Sequence, residues 1–283
     1  MVYTGCWNGI AIVGGGMLAA LVIVTLTRRL FPPHVMRDGH DATGNLLAIV
    51  GTLYAVLLGL VVVDAMVRFE RAMDGVQMES NCLADIFLLA ERLPVTQRER
   101  VQDHCRAYAR EVVDLEWKAM EQARMSIAAR RTALALARSL DDFEPQTEAQ
   151  KTVYPELLEQ MRQLWDARRD RGRMAEFGIP PVEWVALILG AMVTVFFAGL
   201  FSVTNLRLQM VITSLLALVI GLNLYLMSLY GYPFAGELTV SKRPFQLDIA
   251  IFDGAYADGP AHAGEMHAPA AGVAGDAAAR PSR

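Results

Sequence analysis

Little in this chain has the residue types or the spacing of a catalytic centre. The sequence contains no HExxH, G-x-S-x-G or P-loop motif and no paired CxxC, so the patterns of metalloproteases, serine hydrolases, nucleotide hydrolases and thiol redox sites are missing. The run Gly14-Gly15-Gly16 lies inside an apolar stretch, where small residues favour close contact between helices over a nucleotide loop. We therefore expect no enzymatic activity and no cofactor.

Metal-ligating side chains are few and poorly spaced. His34 and His40 share a short loop with two aspartates, but their spacing matches no zinc-ligand pattern. The chain has 3 cysteines, too few for a disulfide framework. Cys82 and Cys105 fall on apolar helical stripes, and we expect both to be small buried hydrophobic side chains. We expect no metal site.

The charged pair Asp64 and Arg68 carries the clearest functional signal. The two residues stand one helical turn apart at the end of an apolar stretch. Ionisable residues inside membrane segments are costly, and they mark functional sites by default. Alternatively, the two form an ion pair at the membrane surface, worth a few tenths of a kcal/mol. The sequence leaves both interpretations open.

The composition indicates the membrane segments that would position such residues. Of 283 residues, 54% are hydrophobic and 20% are charged, against about 45–50% and about 25% in soluble domains. Four stretches are long and apolar enough to cross a bilayer, which needs about 20 residues: 9–27, 45–67, 182–203 and 208–230. No basic residue precedes the first stretch, so we expect a retained anchor and not a signal peptide.

The distribution of basic residues predicts the orientation. Lys and Arg are enriched on the cytoplasmic side of short loops. Arg28, Arg29, Arg37 and Arg207 lie on one side, whereas the other membrane ends carry more than twice as many basic residues. We expect a multi-pass protein of the cell membrane with both termini and residues 68–181 in the cytoplasm. The net charge of −4 excludes a strongly basic nucleic-acid binder.

Residues 68–181 have the periodicity of amphipathic helices. Apolar residues recur at three- and four-residue steps, which predicts one buried stripe per helix and four packed helices. The stripes are Val76, Leu83, Ile86, Ala90 and Leu93; Val101, Cys105, Tyr108, Val112, Leu115 and Ala119; Ile127, Leu134, Ala137 and Leu140; Val153, Leu157, Met161, Leu164 and Arg168. We expect the second span to continue into the first of these helices without a break.

The fold class that follows is all-α, a multi-pass membrane protein with four transmembrane helices and an inserted cytoplasmic helical bundle. The predicted organisation is transmembrane helices one and two in 1–67, the cytoplasmic domain in 68–181 and transmembrane helices three and four in 182–230. A loop segment in 231–253 and a flexible Ala/Gly/Pro-rich tail in 254–283 complete the chain.

The second span has two distinct faces, centred roughly 120° apart at about 100° per residue. One is a ridge of small residues that predicts close helix packing: Gly44, Ala48, Gly51, Ala55 and Gly59. The other face is apolar and ends in charges, and it could meet lipid, an oligomer interface or a pore. Its residues, the candidate pore-lining set, are Leu47, Val50, Tyr54, Leu57, Val61, Asp64 and Arg68.

Several runs together resemble the bestrophin-like family of bacterial integral membrane proteins. They are GTLYAVLLG at 51–59, ESNCLADIF at 79–87, the run 108–113 with Glu116-Trp117, IPP at 179–181 with Trp184, and YPFAG at 232–236 with Val240-Ser241 and Pro244-Phe245. The resemblance implies four spans, a cytoplasmic helical domain and a ring-shaped oligomer like that of the bestrophin anion channels. A ring of Asp64 carboxylates would oppose anions.

Two functions remain open at this stage. The first is a homo-oligomeric ion channel or pore lined by the second span. The second is a non-conducting membrane scaffold or sensor whose cytoplasmic bundle binds a partner. The partners we expect are the lipid bilayer, further copies of the chain and inorganic ions, with no nucleic acid.

Overall fold

The computed structural model describes residues 7–30, 40–201 and 205–254. The expectations for the loop around His34 and for the tail after residue 254 lie outside these ranges. Within them every regular element is helical. The helices are α1 Trp7–Leu30, α2 His40–Leu89, α3 Val95–Glu111, α4 Trp117–Met120, α5 Ile127–Asp141, α6 Glu148–Glu176, α7 Pro181–Leu200, α8 Leu206–Tyr230 and α9 Arg243–Phe252.

Four helices have the length and apolar character to cross a membrane: α1, α2, α7 and α8. This confirms the predicted fold class. α1 packs against α7 and α8, and the first half of α2 packs against the same two helices. The α7–α8 turn is held by Gln209, whose side-chain amide donates to the carbonyls of Gly199 at 2.9 Å and Phe201 at 3.1 Å. Arg28 of α1 donates to the Gln209 side chain at 2.6 Å, so three helices meet at this end.

α2 is one uninterrupted helix of 50 residues, about 75 Å long at 1.5 Å per residue. Its first half lies among the membrane helices and its second half extends into a bundle outside them. The predicted continuity of the second span is therefore confirmed. An unbroken helix of this length links the two halves of the molecule mechanically.

The extramembrane bundle consists of the second half of α2 together with α3, α4, α5, α6 and α9. α6 lies along α2, while α3 packs between α2 and α5. The start of α6 is fixed by a capping box between Thr147 and Gln150. α6 ends at Glu176, and α7 begins only four residues later at Pro181, so the bundle is connected directly to the membrane helices on two sides.

A π-helical turn, Val112–Glu116, shifts the buried face of the chain between α3 and α4. The sequence periodicity placed Leu115 and Ala119 on that face, and this was wrong. Leu115 is 49% exposed, whereas Glu116, Trp117 and Met120 are buried. A π turn inserts one extra residue into the helix, so each later residue moves one position round the axis.

The predicted stripe of α5 was also displaced. Ile127 and Leu134 are exposed, while small residues such as Ala129 and Ala133 face the core. Small side chains at these positions allow α5 to lie close to α3, and the larger Leu134 is left at the groove beside α6.

The segment 231–253, predicted as a loop, contains the helix α9. Phe245 and Phe252 of α9 are buried in the bundle core. Phe252 stacks on Phe87 of α2 with ring centroids 4.1 Å apart. Arg110 of α3 binds both carboxylate oxygens of Asp253, at 2.8 and 2.9 Å. The chain after α8 therefore returns to the bundle and covers it.

Candidate functional site

The membrane half of α2 is covered on one side only. Tyr54, Leu58, Val62 and Ala65 are buried against α7 and α8. The opposite side, which we call the free face of α2, is a wide apolar surface open in the single chain. Its large side chains are Leu46, Ile49, Leu53, Val56, Leu57, Leu60 and Val63, all between 39% and 67% exposed.

The candidate pore-lining residues lie along the border between this free face and the packed side. Leu57 and Asp64 are exposed, and Leu47, Val50, Val61 and Arg68 are partly exposed. Tyr54 differs from the other six because it is only 6% exposed. Its ring occupies the space beside Gly190 of α7, where an added Cβ would lie 2.5 Å from the ring. A glycine at position 190 thus turns Tyr54 into the protomer and away from any axis.

The ridge of small residues is not covered by the same chain. Ala48, Ala55 and Gly59 are exposed, and no described atom would lie within 4 Å of a Cβ built at Gly51 or Gly59. Only Gly44 has a close neighbour, the ring of Phe201 at 3.3 Å. The close helix packing predicted for this ridge remains a prediction, and its partner would have to come from another molecule.

Asp64 and Arg68 form an ion pair at the end of the free face. Arg68 Nε donates to Asp64 Oδ2 at 2.7 Å, and the side chains are 35% and 52% exposed for Arg68 and Asp64. An exposed pair of this kind adds little stability. Its main effect is electrostatic, because each charge neutralises the other at the surface.

The bundle contains a second group of charges, which the sequence analysis did not identify. We call it the Glu–Arg network: Glu79 of α2, Tyr108 of α3, Glu116 of the π turn, and Arg168 and Arg171 of α6. All five side chains are at most 4% exposed. Two carboxylates and two guanidinium groups balance each other, so the network is neutral as a whole.

Hydrogen bonds satisfy the network closely. Arg171 donates to Glu79 Oε2 at 2.6 Å and to Glu116 Oε1 at 2.5 Å. Arg168 binds Glu116 through both guanidinium nitrogens, at 2.6 and 2.7 Å. Tyr108 receives a hydrogen bond from Arg168 at 2.9 Å and donates its own proton to Glu79. Such bidentate pairs are strong and geometrically specific, so they fix α2, α3 and α6 relative to one another.

The environment of the network determines its protonation. Burial by itself would raise the pKa of Glu116, but the charges and hydrogen bonds of Arg171 and Arg168 outweigh it and lower that pKa below its usual value. Burial of Arg171 opposes its charge, yet Glu79 and Glu116 raise its pKa well above the usual value. Burial is also the main cause that raises the pKa of Tyr108. Glu116 and Arg171 therefore stay charged, and Tyr108 stays protonated, at neutral pH.

The junction between the bundle and α7 is tightly packed. Gly178, between α6 and α7, faces the ring of Tyr232, and an added Cβ would lie 2.2 Å from that ring. Ile179 beside it is buried in the apolar core of the membrane half. The chain following α8 therefore rests on the point where α6 passes into the membrane.

The family model for the Bestrophin-like domain matches residues 15–245 of the chain. This protein belongs to the Bestrophin-like family. The match covers both the membrane helices and the extramembrane bundle, so it includes the free face of α2 and the Glu–Arg network. The resemblance inferred from the sequence runs is confirmed.

Solved structures give the same fold at low sequence identity. A crystal structure of a bacterial Bestrophin homologue from Klebsiella pneumoniae aligns with a TM-score of 0.63 at 11% identity, over 87% of this chain and 98% of that chain. Two of its point mutants align with TM-scores of 0.66 and 0.64 at 12% and 11% identity, over 89% and 86% of this chain and 100% and 99% of theirs. No protein of curated function matches the sequence.

The residues that build the Glu–Arg network were visible in the sequence of this Bestrophin-like protein. Glu79 follows Val76 by three residues and precedes Leu83 by four, so it occupies a buried position of its helix. Arg168 ends the predicted stripe of α6, and Arg171 continues it by three residues. Opposite charges on the inward stripes of different helices are the signal for a buried ion pair. The predicted burial of Cys82 and Cys105 is confirmed, and burial raises the pKa of Cys82 to about 11.

Proposed function

We propose that this protein is a homo-oligomeric ion channel in which α2 of each copy lines a common axis. The observation that carries the proposal is the free face of α2, which four membrane helices of one chain leave uncovered. Lipid alone could cover it. An oligomer also accounts for the ridge from Ala48 to Gly59, since small residues favour close helix contact and not lipid contact.

The proposed path has an apolar constriction followed by a charged mouth. Leu47, Val50, Leu57 and Val61 share the border of the free face, and side chains of this type can gate a pore by dewetting. Tyr54 is left out of the proposed lining because its ring packs inside the protomer. Asp64 and Arg68 follow on the same face, so each copy would present a neutralised pair at the mouth.

The orientation is part of the proposal. Arg162, Arg168, Arg169, Arg171 and Arg173 precede α7, and Lys242 and Arg243 follow α8. Basic residues close to membrane ends favour the cytoplasmic side. We therefore place the extramembrane bundle and both termini in the cytoplasm. Reporter fusions after Leu93 and at the C-terminus test this, and an extracytoplasmic signal at either site would reverse it.

Two measurements on the purified full chain test the channel itself. Native mass spectrometry in detergent should give one closed oligomer of three or more copies, and planar-bilayer recording should give discrete currents. A monomer or dimer without current would instead favour a membrane scaffold or sensor whose bundle binds a partner. A stable oligomer without current would refute conduction while leaving the assembly intact.

A further inference from the structure

A cleft of about 590 Å³ opens between α5 and α6 on the surface of the extramembrane bundle. The Glu–Arg network reaches this cleft only through Arg168, whose guanidinium is already bound to Glu116. The remaining charges that line the cleft are Arg130, Arg169, Arg173 and one carboxylate, Glu176. The lining is thus predominantly basic, although the chain as a whole is acidic.

The cleft lies at the end of the bundle nearest the membrane helices. α5 runs antiparallel to α6: Met125, just before α5, contacts Gly172 near the end of α6, while Tyr154 near the start of α6 donates to the carbonyl of Leu140 near the end of α5. Glu176 ends α6 and α7 starts at Pro181. The basic residues therefore lie within a few turns of the first residue of a transmembrane helix.

The arginines of the cleft are available to bind a ligand. In the described part of the chain, the guanidinium of Arg130 has no hydrogen-bond or ion-pair partner. Arg169 pairs with Asp166 at 2.9 Å and Arg173 pairs with Asp170, but these two arginine side chains are 68% and 73% exposed. Exposed pairs within one helix are weak, so both guanidinium groups can turn to a stronger anion.

We propose that this cleft binds a phosphate group. Three guanidinium forks around one cleft suit the oxygens of a phosphate, which arginine binds in bidentate geometry. Trp165, Leu134 and Met125 supply an apolar wall next to these charges. The combination of an apolar wall, a basic rim and a position beside the membrane matches the headgroup of an anionic phospholipid. Free phosphate carries the same chemistry without the apolar part.

Isothermal titration calorimetry on the full-length protein in non-ionic detergent can separate the two sources. The probes are short-chain phosphatidic acid, inorganic phosphate, and short-chain phosphatidylcholine as a headgroup without net charge. The test variant combines Arg130→Gln with Arg173→Gln, two exposed positions outside the Glu–Arg network. The matched control is Arg131→Gln, an exposed arginine of α5 that does not line the cleft.

We expect phosphatidic acid to bind, with its dissociation constant raised at least tenfold in the double variant and unchanged in the control. Higher ionic strength should weaken binding, because charges at a surface are screened. Binding of inorganic phosphate with the same dependence on Arg130 and Arg173 also supports the site and identifies the free anion as sufficient. The proposal is overturned by no binding of either anion, by equally tight binding of phosphatidylcholine, or by an equal loss in the control.

Discussion

Glu79 and Arg171 meet in the centre of the extramembrane bundle, with Arg171 Nε 2.6 Å from Glu79 Oε2 and both side chains fully buried. Glu79 belongs to α2, which begins in the membrane half of the molecule, and Arg171 belongs to α6, which leads into α7. The pair therefore joins two helices that each continue into a transmembrane segment. A displacement of one of these helices would strain the pair and act on the other helix.

The first prediction concerns this pair. Glu79→Gln removes one of the two carboxylates and leaves the buried network with an excess positive charge. Breaking a buried ion pair in this way costs about 3–5 kcal/mol, so thermal unfolding in detergent should begin at a clearly lower temperature. Glu70→Gln is the control, because Glu70 is exposed on the same helix, and it should change the free energy of unfolding little.

A double variant sharpens the test. Glu79→Gln with Arg171→Met removes one charge of each sign and leaves the balanced Glu116–Arg168 pair. It should therefore be more stable than the Glu79→Gln variant alone. Additive losses would mean that Glu79 and Arg171 act independently and that the network is not a unit.

Much of the fold followed from the sequence because its determinants are local. The four membrane helices are long apolar runs, and the continuity of α2 follows from the absence of a strong breaker between Asp64 and Leu93. The π turn at Val112–Glu116 could not be predicted, because it depends on packing: it is the shift that brings Glu116 to Arg168 and Arg171. Regular periodicity assumes 3.6 residues per turn throughout, so it placed Leu115 where Glu116 lies.

The candidate site was predictable only in part. Spacing along α2 separates its faces correctly, but it does not show which face the same chain covers. Tyr54 shares a face with Leu57 by spacing, yet it is buried because Gly190 of α7 leaves room for its ring. That relationship joins residues 136 positions apart. The charged residues of the bundle were likewise visible singly, but their convergence depends on how α2, α3 and α6 pack.

The second prediction tests this contact in the membrane half. Gly190→Ala places a Cβ about where the Tyr54 ring lies, and overpacking of this kind typically costs about 1–3 kcal/mol. Thermal stability in detergent should fall, and the loss should be smaller when Tyr54 is replaced by Leu. Gly14→Ala is the control, since no described atom lies within 4 Å of its Cβ position. Equal effects at the two glycines would show that Gly190 has no special role.

The third prediction concerns the pH dependence of α9. Asp248 is buried and accepts a hydrogen bond from Ser80 at 2.5 Å, and burial raises its pKa from 3.8 to about 6. Between these two values the folded protein holds a proton that the unfolded chain has released. Stability from this group is therefore present at acid pH and is lost as the pH rises towards 6, by about 2 kcal/mol at most.

Asp248→Asn separates this effect from other titrating groups. The amide is neutral at every pH and its oxygen can still accept the hydrogen bond from Ser80. Melting temperatures of the two proteins should be similar at pH 5, whereas the variant should be the more stable at pH 8. A stability difference that does not change with pH would show that Asp248 keeps its ordinary pKa when α9 is docked.

The fourth prediction concerns the ridge of small residues. A larger side chain at Gly51 meets no described atom of the same chain, so Gly51→Leu should leave the folded chain intact. If another copy packs on this ridge, the substitution should reduce or abolish the oligomer seen by native mass spectrometry, and Gly51→Ala should have a smaller effect. Full assembly of the Gly51→Leu variant would assign the ridge to lipid.

The last prediction concerns conduction along α2. Leu57 lies in the proposed constriction, and Leu57→Ala should widen it and raise the single-channel conductance. Val56→Ala is the matched control: Val56 is 58% exposed and points about 100° away around the same helix. Asp64→Asn leaves Arg68 without its partner at 2.7 Å, so each copy gains one uncompensated positive charge at the mouth. Under an asymmetric salt gradient, the reversal potential should therefore move towards that of the anion. Unchanged conductance in Leu57→Ala and an unchanged reversal potential in Asp64→Asn would together mean that α2 lines no conducting path.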